Sequence, residues 1–251
     1  MDSQNNQAKE FFNDIADTYK DKYKNYNKFH HYFFNERLRK ASEGFDFRNA
    51  TILDIGTGTG DLYDHLKSID LSINFYGSDI AEKMIAESNI PKENQFVGKI
   101  TEIDLPRSDF DYIYMLGVTT YLPEDEMVET LKTIEANLAQ NGKAILTFTN
   151  SNSFDNFNRT LLKLPVKLMK SKRSVLGQGF KIYKYSVSSA KELVNPWFNV
   201  QEVRYLNHTV FPWNLILKSA SVSLANQIDK MDEGPLLRSL SSDFMLVLSK
   251  K

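Results

Sequence analysis

The chain has 251 residues, a length that fits one α/β domain, and its 41% hydrophobic and 25% charged residues are typical of a globular protein. A net charge of −1 argues against a nucleic-acid partner, and the lack of cysteine excludes disulfides, thiol nucleophiles and cysteine zinc sites. The four histidines show no metal-ligand spacing, so no metal is predicted. Because the N-terminus is polar and the apolar runs are short, we expect a cytoplasmic protein with no transmembrane segment.

Residues 8–41 predict two helices before the first strand. Phe11, Ile15, Tyr19 and Tyr23 recur at every fourth position, which places them on one helical face. The region is rich in aromatic residues, which either pack on the sheet or cover a ligand. We predict that residues 1–45 form a helical lid.

Residues 51–60 predict a buried strand, a glycine turn and the start of a helix. Gly56, Gly58 and Gly60 allow positive φ and close approach of a ligand to bare backbone. Free N–H groups at the helix start favour a negative ligand group. The dinucleotide fingerprint is not matched, because Asp61 stands where its third glycine would be. Asp54, at the end of the strand, suits a ligand that carries an ammonium group.

The pattern Asp54-x-Gly56-x-Gly58-x-Gly60 resembles the first motif of the class I S-adenosylmethionine-dependent methyltransferases. Residues 11–19 resemble the entry segment of relatives from ubiquinone and menaquinone biosynthesis. The resemblance implies S-adenosylmethionine as cofactor, S-adenosylhomocysteine as product and no metal. It also implies a Rossmann-like, doubly wound α/β fold whose seven strands lie in the order 3-2-1-4-5-7-6, the last antiparallel. The implied cofactor contacts in these two segments are Tyr19, Asp54, Gly56, Thr57 and Gly58.

A second strand, residues 73–78, ends at Asp79, 23 residues after Gly56. An acid at this spacing accepts hydrogen bonds from ribose hydroxyls. Asp79 also precedes a helix predicted over residues 81–88, so it is a candidate helix cap as well, and both roles can hold together. Ile80 is placed to touch the adenine face.

The third strand, residues 95–98, is followed by Lys99, where many members of the resembling family have an acid that meets the adenine amino group. Lysine cannot accept a hydrogen bond, so we expect the backbone around Lys99 and Ile100 to recognise adenine. A fourth strand, residues 110–116, ends at Leu116, which the resemblance places beside the reactive methyl group.

The remaining elements are a helix from Pro123 to Asn141-Gly142 with Leu138 on its buried face, and strands at 143–149, 198–206 and 244–248. Two insertions, residues 151–185 and 209–242, are predicted on the substrate side of a single domain that spans residues 1–251. The second insertion is predicted to hold one helix from about Trp213 to Met231.

The basic stretch 163–173 of the first insertion has two interpretations. It is either a solvated lid or a contact with an anionic group, which could belong to the substrate, a carrier protein or a membrane surface.

The predicted function is transfer of a methyl group to a small-molecule acceptor, through an O, N or C nucleophile, by in-line displacement. Holding the reacting atoms in line can supply about 7–11 kcal/mol of the barrier. His31 and His208 are candidate bases by residue type, but no catalytic residue is assigned. Two alternatives stay open: a non-catalytic regulatory or scaffold subunit that binds the cofactor, and, disfavoured by Asp61, a nicotinamide oxidoreductase.

Overall fold

The structure, a computed structural model, describes residues 2–20, 28–161, 181–231 and 234–251. Within these residues seven strands form one sheet, in the order β3-β2-β1-β4-β5-β7-β6. β7 runs antiparallel to both β5 and β6, and the other neighbouring strands pair in parallel. The predicted fold class and strand order are confirmed. The strands are β1 Thr51–Ile55, β2 Asn74–Asp79, β3 Gln95–Val97, β4 Phe110–Met115, β5 Leu138–Thr149, β6 Phe198–Leu206 and β7 Asp243–Lys250.

Helices cover both faces of this sheet. They are α1 Asp2–Tyr19, α2 Lys28–Ser42, α3 Asp61–Ile69, α4 Glu82–Ala86, α5 Glu124–Asn137, α6 Phe154–Leu161, α7 Val187–Val194, α8 Trp213–Ile216, α9 Lys218–Ile228 and α10 Pro235–Leu240. Short 3₁₀ turns occur at Lys92–Asn94 and Thr119–Tyr121. In the part of the chain that the structure describes, no helix is both long and apolar enough to span a bilayer.

The central strand β1 is buried along its whole length. Leu53 and Ile55 pack in one core with α5, whereas Ile52 packs in a second core with Leu62 and Leu66 of α3. A strand with helices on both faces needs apolar residues on both faces, which explains the nearly unbroken apolar run. Packing on both faces therefore fixes the position of the end of β1, where the following loop begins.

The helix predicted to end at Asn141-Gly142 ends instead at Asn137, so this boundary was wrong. Leu138 has extended φ and ψ of −77° and 136° and pairs with Phe110 of β4. The register shifts before the next pair, between Tyr112 and Lys143, which accommodates the extra residues. A Cβ at Gly142 would lie 2.8 Å from the Phe110 carbonyl oxygen, so close strand packing selects glycine here.

The helix predicted from Trp213 to Met231 is divided in two, because Leu217 has non-helical φ and ψ of −115° and 54°. The two insertions contact each other: Asp155 Oδ1 of α6 accepts a hydrogen bond of 2.7 Å from the Phe211 N–H. The basic stretch 163–173 and Tyr23 lie outside the described residues. That residues 1–251 form a single domain stays a prediction.

Candidate functional site

A cavity of about 920 Å³ lies at the carboxyl ends of β1, β2, β4 and β5. This is the edge at which open α/β sheets bind ligands. Parts of α1, α2, α5 and α6 close it. Eight of the ten predicted contact residues line it: Tyr19, Gly56, Gly58, Asp79, Ile80, Lys99, Ile100 and Leu116.

The glycine loop after β1 forms the floor of the cavity. Gly56 has a φ of 73°, and a Cβ there would lie 2.2 Å from Cγ2 of Val118. Only glycine fits both the left-handed backbone and the neighbouring loop. The loop after β4, which contains Val118, therefore explains why position 56 requires glycine.

Four N–H groups of this loop already have protein acceptors. Gly56 and Thr57 donate to the Ser78 carbonyl at 2.8 and 2.9 Å, Gly58 donates to Asp79 Oδ2 at 2.8 Å, and Gly60 donates to the Thr57 carbonyl at 3.0 Å. These four groups are therefore not available to an anion, and the loop offers bare backbone for close approach of a ligand. The expectation that N–H groups at the start of α3 favour a negative ligand group stays a prediction.

Two buried carboxylates lie beside this loop. Asp54 is 3% exposed, and burial raises its pKa to about 7. Asp79 accepts hydrogen bonds of 2.8 Å from the N–H groups of both Gly58 and Ala81, and burial raises its pKa to about 6. Such carboxylates favour a ligand that carries positive charge or donates hydrogen bonds. Asp54, in β1, and Thr57, in the loop, are absent from the cavity wall, whereas Asp79 is part of the wall.

The Asp79 carboxylate thus has a structural role, and its binding of ribose hydroxyls stays a prediction. It joins the glycine loop to the start of α4, and the residue at the N-cap of α4 is Ala81. A carboxylate has about four acceptor sites, so two further hydrogen bonds to ribose hydroxyls are still possible.

Aromatic residues cover the cavity from the N-terminal side. The ring of Tyr19, at the end of α1, makes edge contacts with Phe12 and Phe34, at centroid distances of 6.4 and 6.5 Å. Gln4 holds the other end of α1 by donating to the carbonyls of Tyr121 and Lys181 at 2.9 and 3.1 Å. α1 therefore forms part of the cavity wall, and the lid function of residues 1–45 stays a prediction.

Arg37 and Asp243 also line the cavity, and the sequence reasoning missed both as site residues. The Arg37 guanidinium lies 4.4 Å from the ring centre of Phe33, and its buried Nε has no hydrogen-bond partner among the described residues. A Cβ at Gly117 would lie 2.8 Å from an Arg37 terminal nitrogen, which places the guanidinium at the end of β4. Arg37 appeared in the sequence only as part of a helical pattern, so no local signal identified it.

Asp243 begins β7 opposite Thr149, the last residue of β5. Its Oδ1 accepts a hydrogen bond of 3.2 Å from the Thr149 hydroxyl. Burial raises the pKa of Asp243, and the Arg37 guanidinium opposes this shift. The antiparallel insertion of β7 brings this carboxylate to the ligand edge.

The structure does not support either histidine proposed as a base. His31 is exposed on α2, and neither His31 nor His208 is in the wall of the cavity, which contains His30 instead. His208 is buried beside Glu36 and Asp229, with ligand atoms of the three residues within 4.8 Å of one another. Lys40 Nζ lies 2.5 Å from Asp229 Oδ1. The carboxylate that a metal ion would need as a ligand is therefore already paired with an ammonium group.

Comparison with known proteins agrees with this geometry. A family model described as a methyltransferase domain matches residues 26–204. No curated protein sequence matches the chain significantly.

Solved structures share the fold. Magnesium protoporphyrin IX methyltransferase from Synechocystis PCC 6803, with bound S-adenosylhomocysteine, is 14% identical with a TM-score of 0.63, over 99% of this chain and 100% of that chain. A possible histamine N-methyltransferase from Thermotoga maritima is 17% identical with a TM-score of 0.61, over 97% and 99%. A TehB-like S-adenosylmethionine-dependent methyltransferase from Corynebacterium glutamicum is 18% identical with a TM-score of 0.50, over 87% and 88%.

Proposed function

The chain belongs to the class I S-adenosylmethionine-dependent methyltransferases, and from this premise we propose that it transfers the methyl group of S-adenosylmethionine to a small-molecule acceptor. The observation that carries the cofactor assignment is the glycine loop, in which the N–H groups of Gly56, Thr57 and Gly58 already donate to Ser78 and Asp79 and beside which lie two buried carboxylates. A pyrophosphate needs free N–H groups and positive charge. An adenosyl amino acid with a sulfonium and an ammonium group needs neither from this loop.

Each part of the cofactor has a matching group in the cavity. Asp79 would accept hydrogen bonds from the ribose hydroxyls, and Ile80 and Ile100 would pack around adenine. Leu116, at the end of β4, would lie beside the reactive methyl group. Asp54, in β1 just before the loop, would favour the cationic amino-acid end of the cofactor. Thr57, a residue of the loop itself, would act by shaping the loop.

Arg37 is proposed to bind the cofactor's carboxylate. Its guanidinium is oriented by Phe33 and lies at the end of β4. A guanidinium matches a carboxylate with paired hydrogen bonds, and the Arg37 Nε has no other partner in the described structure.

The chemistry requires alignment more than it requires a catalytic group. The acceptor's lone pair forms a bond to the methyl carbon while the carbon–sulfur bond breaks and the sulfonium becomes a thioether. The chain's contribution is to hold both partners in line and exclude water, which α1 does by lying over the cavity. Asp243 is available to accept a proton from an acidic O–H or N–H nucleophile.

A small-molecule acceptor is supported by the size of the cavity, about 920 Å³, and by the helices that line it. The net charge of −1 is consistent with a partner other than nucleic acid. An anionic substrate or carrier at residues 163–173 remains a prediction that lies outside the described residues.

The first experiment is a thermal-shift titration with S-adenosylhomocysteine, S-adenosylmethionine and NADH. A ligand at 100 times its dissociation constant adds about 2.7 kcal/mol, which raises the Tm by several degrees. We expect a shift with the two adenosyl compounds only. A shift with NADH alone would overturn the proposal.

Arg37→Met should reduce this shift, whereas Asp17→Asn, an exposed change on α1, should leave it unchanged. Incubation with methyl-labelled cofactor and metabolite extract then separates the enzyme from the non-catalytic alternative. Binding of S-adenosylhomocysteine without any methyl transfer would favour a regulatory or scaffold subunit.

A further inference from the structure

Lys99 and Glu126 form a charged pair in the wall of the cavity. Lys99 Nζ lies 3.5 Å from Glu126 Oε1, and both side chains are partly exposed, by 31% and 24%. The Asn5 side-chain amide of α1 donates to both oxygens of the same carboxylate, at 2.7 and 2.8 Å. Glu126 is therefore held between the loop after β3, the start of α5 and the helix that covers the cavity.

The sheet order places this pair at the base-binding end of an adenosyl ligand. The glycine loop follows β1, Asp79 ends β2, and β3 lies at the edge beyond it. A ligand whose ribose is bound to Asp79 and whose amino-acid part lies over the glycine loop must extend its base towards the end of β3. The cavity there is bounded by Lys99 and Ile100 on one side and by α5 on the other.

Adenine presents an exocyclic amino group, which needs an acceptor when it is buried. Lys99 has no acceptor. Among the carboxylates lining this end, Asp125 and Glu129 are exposed and the Glu102 side chain is 68% exposed, whereas Glu126 is less exposed and is fixed in orientation by two donors.

We propose that Glu126 accepts the exocyclic amino group of the cofactor's adenine, and that Asn5 ties this recognition to the position of α1. The inference rests on the proposed cofactor. It assigns base recognition to α5 instead of the loop after β3, and it gives Lys99 the role of orienting the carboxylate. Because Asn5 belongs to α1, a bound adenine also stabilises the covered state of the cavity.

The test compares the dissociation constants of S-adenosylhomocysteine and S-inosylhomocysteine by titration calorimetry. The inosyl compound has a carbonyl oxygen in place of the amino group, so the Glu126 carboxylate would face another acceptor. We expect the parent protein to bind the adenosyl compound at least about 10-fold more tightly.

Glu126→Gln should bring this ratio close to one, because an amide can turn its N–H₂ towards the carbonyl oxygen of the inosyl base. Its carbonyl can still accept from Asn5, so the fold should be kept, and circular dichroism checks this. Glu102→Gln changes the other carboxylate near Lys99, at 3.9 Å, and should retain the parent ratio.

An unchanged ratio in Glu126→Gln, or a parent that binds the inosyl compound equally well or better, would overturn the inference while leaving the cofactor assignment intact. The second result would point to Lys99 as the reader of the base. If the parent binds neither compound, the proposed cofactor itself is wrong and the inference is overturned with it.

Discussion

Asp54→Asn is expected to stabilise the cofactor-free protein while weakening its site. The Asp54 side chain is 3% exposed, and burial, reinforced by the negative charges of Asp79 and Asp61, raises its pKa from 3.8 to about 7. Asparagine has nearly the same shape and no charge. The substitution therefore removes the cost of holding a desolvated carboxylate at neutral pH.

The size of the effect follows from linkage. A difference of about three pKa units between folded and unfolded chains corresponds to about 4 kcal/mol, and relaxation around the group lowers this to about 2 kcal/mol or more. For a chain of this length, we expect the Tm at pH 8 to rise by about 4–8 °C. Scanning calorimetry without ligand measures this directly.

The stability difference between the parent and Asp54→Asn should depend on pH. The folded chain keeps the Asp54 proton up to a pH of about 7, whereas the unfolded chain releases it near 3.8. The parent therefore loses stability as pH rises between these values, and the variant does not lose this contribution. The Tm difference should grow from pH 5 to pH 7 and then remain constant.

Asp70→Asn is the matched control. The Ser72 side chain and N–H lower the pKa of the partly exposed Asp70, so removing this charge should give no stabilisation. Equal Tm values for the parent and Asp54→Asn at pH 8 would refute the reasoning about burial. Under the proposed cofactor assignment, the same variant should bind S-adenosylhomocysteine at least about 10-fold more weakly.

Three further predictions concern the glycine loop and its neighbours. Gly56→Ala should lower the free energy of unfolding by about 2–4 kcal/mol in urea titrations, and Val118→Ala in the same chain should restore only the steric part, because the positive φ remains. Asp79→Ala should cost about 2–4 kcal/mol of stability by the same assay, since it leaves the N–H groups of Gly58 and Ala81 without their acceptor; unchanged stability would contradict the two hydrogen bonds. Arg37→Met should weaken S-adenosylhomocysteine binding by about 10-fold or more, and Arg37→Lys should weaken it less because the positive charge is kept. Equal calorimetric affinities of the two variants would exclude a role of the charge.

The local chemistry of the strand, turn and helix at residues 51–60 was readable from the sequence alone. Positive φ at Gly56, the buried apolar run before it and the acid at Asp79 are properties of neighbouring residues, or of a spacing that parallel strands repeat. The strand order followed from the resemblance that this motif supports. Element boundaries were less certain, as Leu138 shows: only pairing with Phe110 decides that it is a strand residue.

The tertiary structure alone decided which groups remain available to a ligand. Nothing in the sequence shows that the N–H groups of Gly56 and Thr57 have an acceptor, whereas in the structure both donate to the Ser78 carbonyl on the neighbouring strand. Arg37 and Glu126 reach the same cavity from helices far apart in the chain. Such facts depend on distances between residues distant in sequence, and no periodicity or spacing encodes those distances, because they are set by how the helices pack on the two faces of the sheet.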